Sequence, residues 1–544
     1  MAKKKNNLVK NASILMAALI ISRVIGLLYR RPLGEILGPV GLGYYGYAMN
    51  LYTILLLIST FSIPTALSKI VSERLAVKQY KNAHKAFKGA LIYGVVVGGA
   101  FALIAFFGGA ILLPGNQANA IPALKALAPT IFLSAILGVL RGYFQAHKIM
   151  TPTSISQIIE QIFNAVISIV AAVILINALA PFGGTDAAIW GSVGGTIGTG
   201  GGVLFGLVFM AFVYYVNKKS IDRHVRRDGT EQEESYTDIF KLILIVVTPI
   251  IATSFINNAS TYLDGVLYAN IQGGHGVAAD FISTAYGEYC NYYLPLINIP
   301  LALAAASVAA MMPEVSSSYA LGRIDEVNSH ALVTIRMTMF ICIPCTIGLT
   351  VMAGPIMDVL FPASTELSAK LLLSGSLYVI FAGLSTITSG VLQSIGQQKQ
   401  AMINAAISLG ANLAFQAVIL YAAPALDIYT VMIANILFGV VCCILNDISL
   451  KKYLGFKNEF MQTYGMPIIA SAGMAAAVFF IYRGLHALMG SVLIPLAVGI
   501  LVSILVYIII YAAVSGVTEE ELRRYPMGGK LVKILKLLKI YKDE

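Results

Sequence analysis

Residues 138–156 read GVLRGYFQAHKIMTPTSIS, and residues 390–408 read GVLQSIGQQKQAMINAAIS. Seven of the nineteen positions match without a gap, at a constant offset of 252 residues. Each copy is a polar corner between two long apolar runs. Shared hydrophobicity does not make polar corners alike, so the match points to an internal duplication. Its meaning depends on how many apolar runs separate the two corners.

A membrane-spanning helix needs about 20 consecutive apolar residues. Fourteen runs qualify: 8–29, 44–69, 90–113, 124–145, 153–179, 187–216, 239–263, 284–312, 331–352, 368–395, 401–422, 429–450, 464–487 and 492–514. The first corner joins the fourth and fifth spans, the second the tenth and eleventh. Six spans lie between them. Six is even, so the two halves share an orientation and are related by an axis along the membrane normal. Parallel repeats of this kind occur in transporters, with the substrate site between the halves. The predicted fold is an all-α polytopic membrane protein of 14 transmembrane helices. Two parallel six-helix halves surround a central cavity, and two extra helices follow. The predicted divisions are 1–235, a six-helix half with its cytosolic linker; 236–458, the second half; 459–515, helices 13 and 14; and 516–544, a basic cytosolic tail.

Composition agrees. Of the 544 residues, 58% are hydrophobic and 12% charged, with a mean hydropathy of +0.80. A soluble protein is about 25% charged. A chain this apolar cannot cover itself with polar surface, which excludes a soluble enzyme, a disordered chain and a secreted disulfide scaffold. The runs are continuous rather than alternating, which excludes a β-barrel. The five cysteines lie in apolar runs without metal-ligand spacing.

Lysine and arginine set the orientation. With the N-terminus in the cytosol, 30 of the 37 fall on inside segments or the span ends that border them and five on the outside ones, with Arg23 and Arg336 assigned to the spans themselves. The net charge of +11 then reflects topology and contact with anionic membrane lipids, not nucleic acid. The apolar run that follows Lys3, Lys4 and Lys5 is too long for a signal peptide, contains Arg23 and lacks a small-residue cleavage site, so it is expected to stay as the first helix. Residues 531–541, with lysines three apart among apolar residues, are expected to lie as a basic helix on the inner leaflet.

Ionisable groups inside spans are costly unless they face a cavity or a partner. Arg23 lies about 15 residues, roughly 22 Å, into the first span. Glu160 lies about 10 Å into the fifth span and is placed to pair with Arg141. Such a pair either locks two helices or opens and closes during transport; alternatively Glu160 carries a coupling proton or cation. Asn257, Asn258 and Asp264 offer oxygens to a cation or to sugar hydroxyls. Arg336, early in the ninth span, is expected to snorkel. Tyr44, Tyr45, Tyr47 and Tyr52 share helix faces in pairs, and fit either an interfacial aromatic belt or stacking against a sugar. Gly194, Gly198, Gly202 and Gly206 form a small-residue packing stripe. No Lys-Ser or Lys-Thr follows the glycines, so no nucleotide-binding P-loop is present. No nucleotide, metal or cofactor is expected. A glycosyltransferase or lipid phosphatase would need clustered acids or histidines, and the six histidines are scattered singly along the chain.

The stretch 140–161, with SRVIG at 22–26 and MPEVS at 312–316, resembles the multidrug/oligosaccharidyl-lipid/polysaccharide exporter superfamily. Within it the chain is similar to the MurJ-like lipid II flippases of the YtgP and stage V sporulation protein B branch. The resemblance covers the whole chain in helix count and order. It implies a flippase that moves the undecaprenyl-pyrophosphate-linked peptidoglycan precursor from inner to outer leaflet of a bacterial plasma membrane by alternating access, with both termini cytosolic. It also matches Arg23 to a substrate-contacting arginine, whose fork of donors suits a pyrophosphate. Gram-negative members carry further cavity arginines in helices 2 and 8; leucine stands at both positions here. Flippases for other polyprenyl-linked oligosaccharides and cation-coupled multidrug antiporters are the alternatives.

Overall fold

The computed structural model describes residues 21–61, 63–113, 115–147, 149–229 and 234–515. Every described element is helical, as lipid requires, because a helix satisfies its backbone polar groups within one segment. Among the described residues nine helices are long and apolar enough to cross a bilayer. They become ten if Glu366–Gly375 and Tyr378–Ser394, bent by 49°, make one span. Of the other spans read from the sequence, the first lies mostly outside the described residues. The second and eighth are interrupted by π-helical segments, Leu57–Phe61 and Tyr289–Tyr293. The seventh lies within Tyr236–Gly274. The tail 516–544, with the expected basic helix, lies outside the described residues.

The chain forms two compact units, one closing at Gly287 and the other opening at Glu288. The first contains α1 (Arg30–Leu56), α2 (Ile63–Ala76), α3 (Tyr80–Phe107), α4 (Ile121–Ala146), α5 (Thr151–Leu179), α6 (Gly184–Arg226) and α7 (Tyr236–Gly274), and most of α8 (Ala279–Glu288). The first two spans meet at a kink in α1, where Gly38 takes a φ of 65° ahead of Pro39. Glycine accepts that angle without a Cβ clash, and proline supplies no amide to continue the ladder. The glycine stripe of α6 packs as expected. A Cβ at Gly194, Gly198 or Gly202 would collide with α5, at Ala172, Ser168 and the Glu160 carbonyl respectively. The two backbones touch because nothing stands between them.

The tyrosines of the second span do not form an interfacial belt. Tyr44, Tyr45, Tyr47 and Tyr52 are all buried. Tyr47 stacks on Tyr286 with centroids 4.2 Å apart, and Tyr44 accepts a hydrogen bond from Asn119 at 2.9 Å. The Tyr45 hydroxyl meets that of Tyr29 at 3.3 Å, and burial of all four side chains makes the rings core.

The second unit contains α9 (Leu294–Ala320), α10 (Ile324–Val351), α11 (Ala353–Leu360), α12 (Glu366–Gly375), α13 (Tyr378–Ser394), α14 (Gln398–Ala422), α15 (Ile428–Leu454), α16 (Met466–Met489) and α17 (Leu493–Ser515). Glu288, 1% exposed, accepts from the Thr365 and Ser368 amides at 3.1 Å and from the Ser368 hydroxyl at 2.6 Å. It thereby satisfies the orphan donors at the start of α12. In α10, Phe340 lies between Tyr507 and Tyr511 of α17, and Tyr507 donates to the Phe340 carbonyl. Arg336, expected to reach toward the membrane surface, finds an acidic partner. It is paired with Glu459, in the stretch leading to α16.

Both copies of the repeat are helix–turn–helix corners, but their turns fall at different points: after Ala146 in the first and after Ser394 in the second. The ungapped alignment therefore misses by about one helical turn. An offset of 248, from Ala146 to Ser394, brings the turns together. A helix presents nearly the same face every four residues, so the slip leaves the buried faces matched, and Ser156 and Ser408 are both fully buried.

Candidate functional site

The ion pair expected from the sequence at the first corner is formed. Arg141, near the end of α4, donates from Nη2 to Glu160 Oε2 at 2.7 Å and from Nε to Ser156 Oγ at 2.9 Å. Ser156 in turn donates a hydrogen bond to the Thr153 carbonyl at 2.8 Å. The side chains are 15% and 23% exposed, so the pair is largely but not wholly withdrawn from the surface. Three contacts hold it in place. Gly142 lies against Pro64, where a Cβ would come within 2.8 Å of the proline backbone. The Glu160 carbonyl sits on Gly202 of α6. The π-helical turn Leu57–Phe61 passes beside Gly138, with Ser59 and Thr60 donating back to the Leu55 and Leu56 carbonyls. π-turns interrupt α-helices most often at functional sites.

Glu160 stands in a polar stripe along α5. Ser156, Asn164 and Ser168 lie on the same buried face, at four-residue steps. Ser168 donates to Asn164 Oδ1 at 3.0 Å and to the Gly195 carbonyl at 2.8 Å. Tyr52 lies within electrostatic reach of Glu160. Sequence reading overlooked Asn164, Ser168 and Tyr52 as neighbours of Glu160; a four-residue polar period inside an apolar run is the signal that marks the first two. The second unit carries a like stripe on α14: Asn404, Ser408, Asn412 and Gln416, each 2% exposed or less. There Asn404 donates to Asn446 Oδ1 at 2.9 Å and to Ser449 at 3.1 Å. The stripe on α5 thus holds a carboxylate, while that on α14 is neutral throughout.

Arg23 is exposed in the helical segment 21–28. One turn further on, Gly26 lies 3.5 Å, measured from an added Cβ, from the side-chain oxygen of Gln161, the neighbour of Glu160. The first span therefore packs beside the Arg141–Glu160 pair. The α7 residues are elsewhere. Asp264 is fully buried and accepts from Ser260 at 2.9 Å. Its neighbour Gly265 accepts at its carbonyl from Gln117, which precedes α4. Asp264 is thus at the opposite end of α4 from Arg141, about 30 Å away along that helix. Asn258 is exposed on α7, and the side chain of Asn257 lies outside the described part. The sequence-read candidates are two clusters, not one.

The chain spans the membrane many times and has the architecture of a transporter. It belongs to the polysaccharide biosynthesis protein family, whose model matches residues 8–319. It is 25% identical to the lipid II flippase MurJ of Bacillus subtilis (strain 168) over 499 residues, covering 87% of this chain and 88% of that protein. It is also 25% identical to stage V sporulation protein B of the same organism over 541 residues, covering 97% and 99%. Among solved structures it superposes on a lipid II flippase MurJ in an inward closed conformation with a TM-score of 0.65 at 15% identity, covering 92% of this chain and 98% of that one. An inward-facing multidrug resistance MATE family transporter of the MOP superfamily gives 0.61 at 15% identity, covering 81% and 98%.

Proposed function

We propose that the protein is a flippase that carries lipid II, the undecaprenyl-pyrophosphate-linked peptidoglycan precursor, from the inner to the outer leaflet of a bacterial plasma membrane. The observation that carries this reading is the half-buried Arg141–Glu160 pair beside the span that holds Arg23, in a chain related over most of its length to MurJ. Arg23 contacts the pyrophosphate through its planar fork, and Arg141 is released to the substrate when its bond to Glu160 opens. Glu160 then takes up a proton or coupling cation, which links the pair's opening to an ion gradient. Asn257, Asn258 and Asp264, read from the sequence as oxygen donors along α7, are assigned to sugar hydroxyls, with Asp264 at the far end of α4 from Arg141. The two six-helix halves, 1–235 and 236–458, alternate access, helices 13 and 14 (459–515) flank the lipid tail, and the basic tail 516–544 and both termini stay in the cytosol. The excess of lysine and arginine on inside segments supports that orientation and a preference for anionic lipids.

The test is depletion of the protein in its host, followed by assay of lipid II in each leaflet. Accumulation in the inner leaflet is expected. Normal lipid II distribution with accumulation of a different polyprenyl-linked glycan would transfer the assignment to that substrate.

A further inference from the structure

The histidines are not scattered in space. His84 of α3, His147 at the end of α4 and His224 near the end of α6 line one cavity of about 200 Å³ in the first unit, together with Tyr80, Tyr143 and Asn217. All three helix ends lie on the lysine-rich side, far from Asp264. The imidazoles are set by their surroundings. His147 Nδ1 bonds the Tyr143 carbonyl at 2.9 Å and His224 Nδ1 bonds the Ser220 carbonyl at 2.8 Å. A carbonyl only accepts, so each Nδ1 carries the proton and each Nε2 is the basic position. His84 Nδ1 is buried and makes no hydrogen bond among the described residues. Aromatic faces hold the rings: His147 packs on Tyr143 at 4.6 Å and His224 on Tyr80 at 5.4 Å.

The charges around the cavity come from every neighbouring helix. Lys88 and Asp222 both act on His84, and His224 acts on His147. Lys81 and Lys85 share α3, and Arg223 shares α6. On α2, Arg74 is occupied by Glu234 at 2.5 Å. Two carboxylates stand among these cations, Asp222 and Asp228, the latter accepting from the Lys81 amide at 2.6 Å, and among the described residues no group of histidines, cysteines and acids could hold a metal ion. A cation is therefore poorly served, and a purely apolar guest would make no use of three imidazoles.

We propose that this cavity binds a phosphate-bearing anion, with proton uptake by the histidines on binding. Protonated imidazoles donate charge-assisted hydrogen bonds to phosphate oxygens, Asn217 and the tyrosine hydroxyls add neutral donors, and the volume fits a phosphate with a small polyol attached. Burial, aided by His224, holds His147 below the ordinary imidazole value of 6.5, so this imidazole is neutral at pH 7. An anion favours the charged form, so affinity rises as pH falls, by up to about tenfold per pH unit for each imidazole that must gain a proton.

The anion is either the head group of an acidic phospholipid or a soluble phosphate ester, and two arms separate them. In the first, full-length protein in phosphatidylcholine nanodiscs is titrated with glycerol 3-phosphate near pH 5.5 and near pH 7.5. In the second, phosphatidylglycerol replaces part of the phosphatidylcholine and the thermal midpoint is followed at both pH values. Tighter binding of glycerol 3-phosphate at the lower pH, by tenfold or more, identifies a soluble ester. A midpoint raised by phosphatidylglycerol at the lower pH, with weak glycerol 3-phosphate binding, identifies a head group. In either case His84→Gln/His147→Gln/His224→Gln should abolish the pH dependence. His224→Gln alone, at an exposed position, should weaken the low-pH effect several-fold without harming the fold. Failure of both probes, or a pH dependence that survives the histidine substitutions, would overturn the proposal.

Discussion

Arg141 makes two charge-assisted bonds, and each partner on α5 tests a different property of the corner. Hydrogen bonds to charged groups contribute about 1.5–3 kcal/mol, so Glu160→Gln should reduce flipping by about ten- to a hundredfold if the carboxylate takes part in the cycle. The measurement is complementation of a depleted strain, with membrane levels followed in parallel. A static clamp predicts instead that Gln complements fully, since its amide oxygen still accepts from Arg141. Arg23 separates charge from geometry. Arg23→Lys keeps the charge and loses the bidentate fork, so flipping should fall clearly; Arg23→Ala should abolish it while protein levels stay normal. Full complementation by Arg23→Ala at normal levels would remove this residue from the site. The pairing of Arg141 with Glu160 was legible because a charge within a span demands a partner, and only one opposite charge was within reach. The partnership of Arg336 with Glu459 was not, because Glu459 lies 123 residues away and no local rule joins them.

At the scale of helices, the α5–α6 contact is the most exacting. Gly198 lies so close to Ser168 that a methyl group must push the helices apart. Gly198→Ala should therefore lower the thermal midpoint of the purified protein, with overpacking costing about 1–3 kcal/mol. Gly410 of α14 has nothing within 4 Å of an added Cβ. Gly410→Ala should leave the midpoint unchanged or raise it, because alanine is the better helix former by about 1 kcal/mol. Equal effects at the two positions would contradict the packing described. The glycine stripe was readable as a four-residue period. The position of the turn in each repeat corner was not. Matching letters across a corner weighs side chains that resist change, whereas the turn is placed by where each helix loses its next backbone partner. Sequence similarity consequently followed the buried face and slipped along it by one turn.

For the whole molecule, topology is the property that the charges determine. Cysteines placed at 183–185 and 273–278 should react with an impermeant thiol reagent in intact cells, and cysteines at 222–234 only after permeabilisation. Labelling of the last group in intact cells would break the alternation of spans. The basic side so defined is also the side of the three-histidine cavity. That cluster was invisible along the chain, since its members are 63 and 77 residues apart and each looked isolated; it exists only because α3 begins where α4 and α6 end. Hydropathy reports how many times a chain crosses lipid, but not which helix ends become neighbours.

The π-helical turns at Leu57–Phe61 and Tyr289–Tyr293 bear on how scanning data must be phased. A turn of this kind accommodates one surplus residue, and one residue of an α-helix is about 100° of rotation. Side chains beyond Phe61 or Tyr293 are therefore turned by roughly that angle from where an unbroken helix would aim them. An accessibility or tolerance scan plotted on a single helical wheel through the second or eighth span will show two half-stripes on different faces. Indexing each half separately restores one continuous stripe, and substitutions that appear to face lipid under the first scheme fall into line with the buried face under the second.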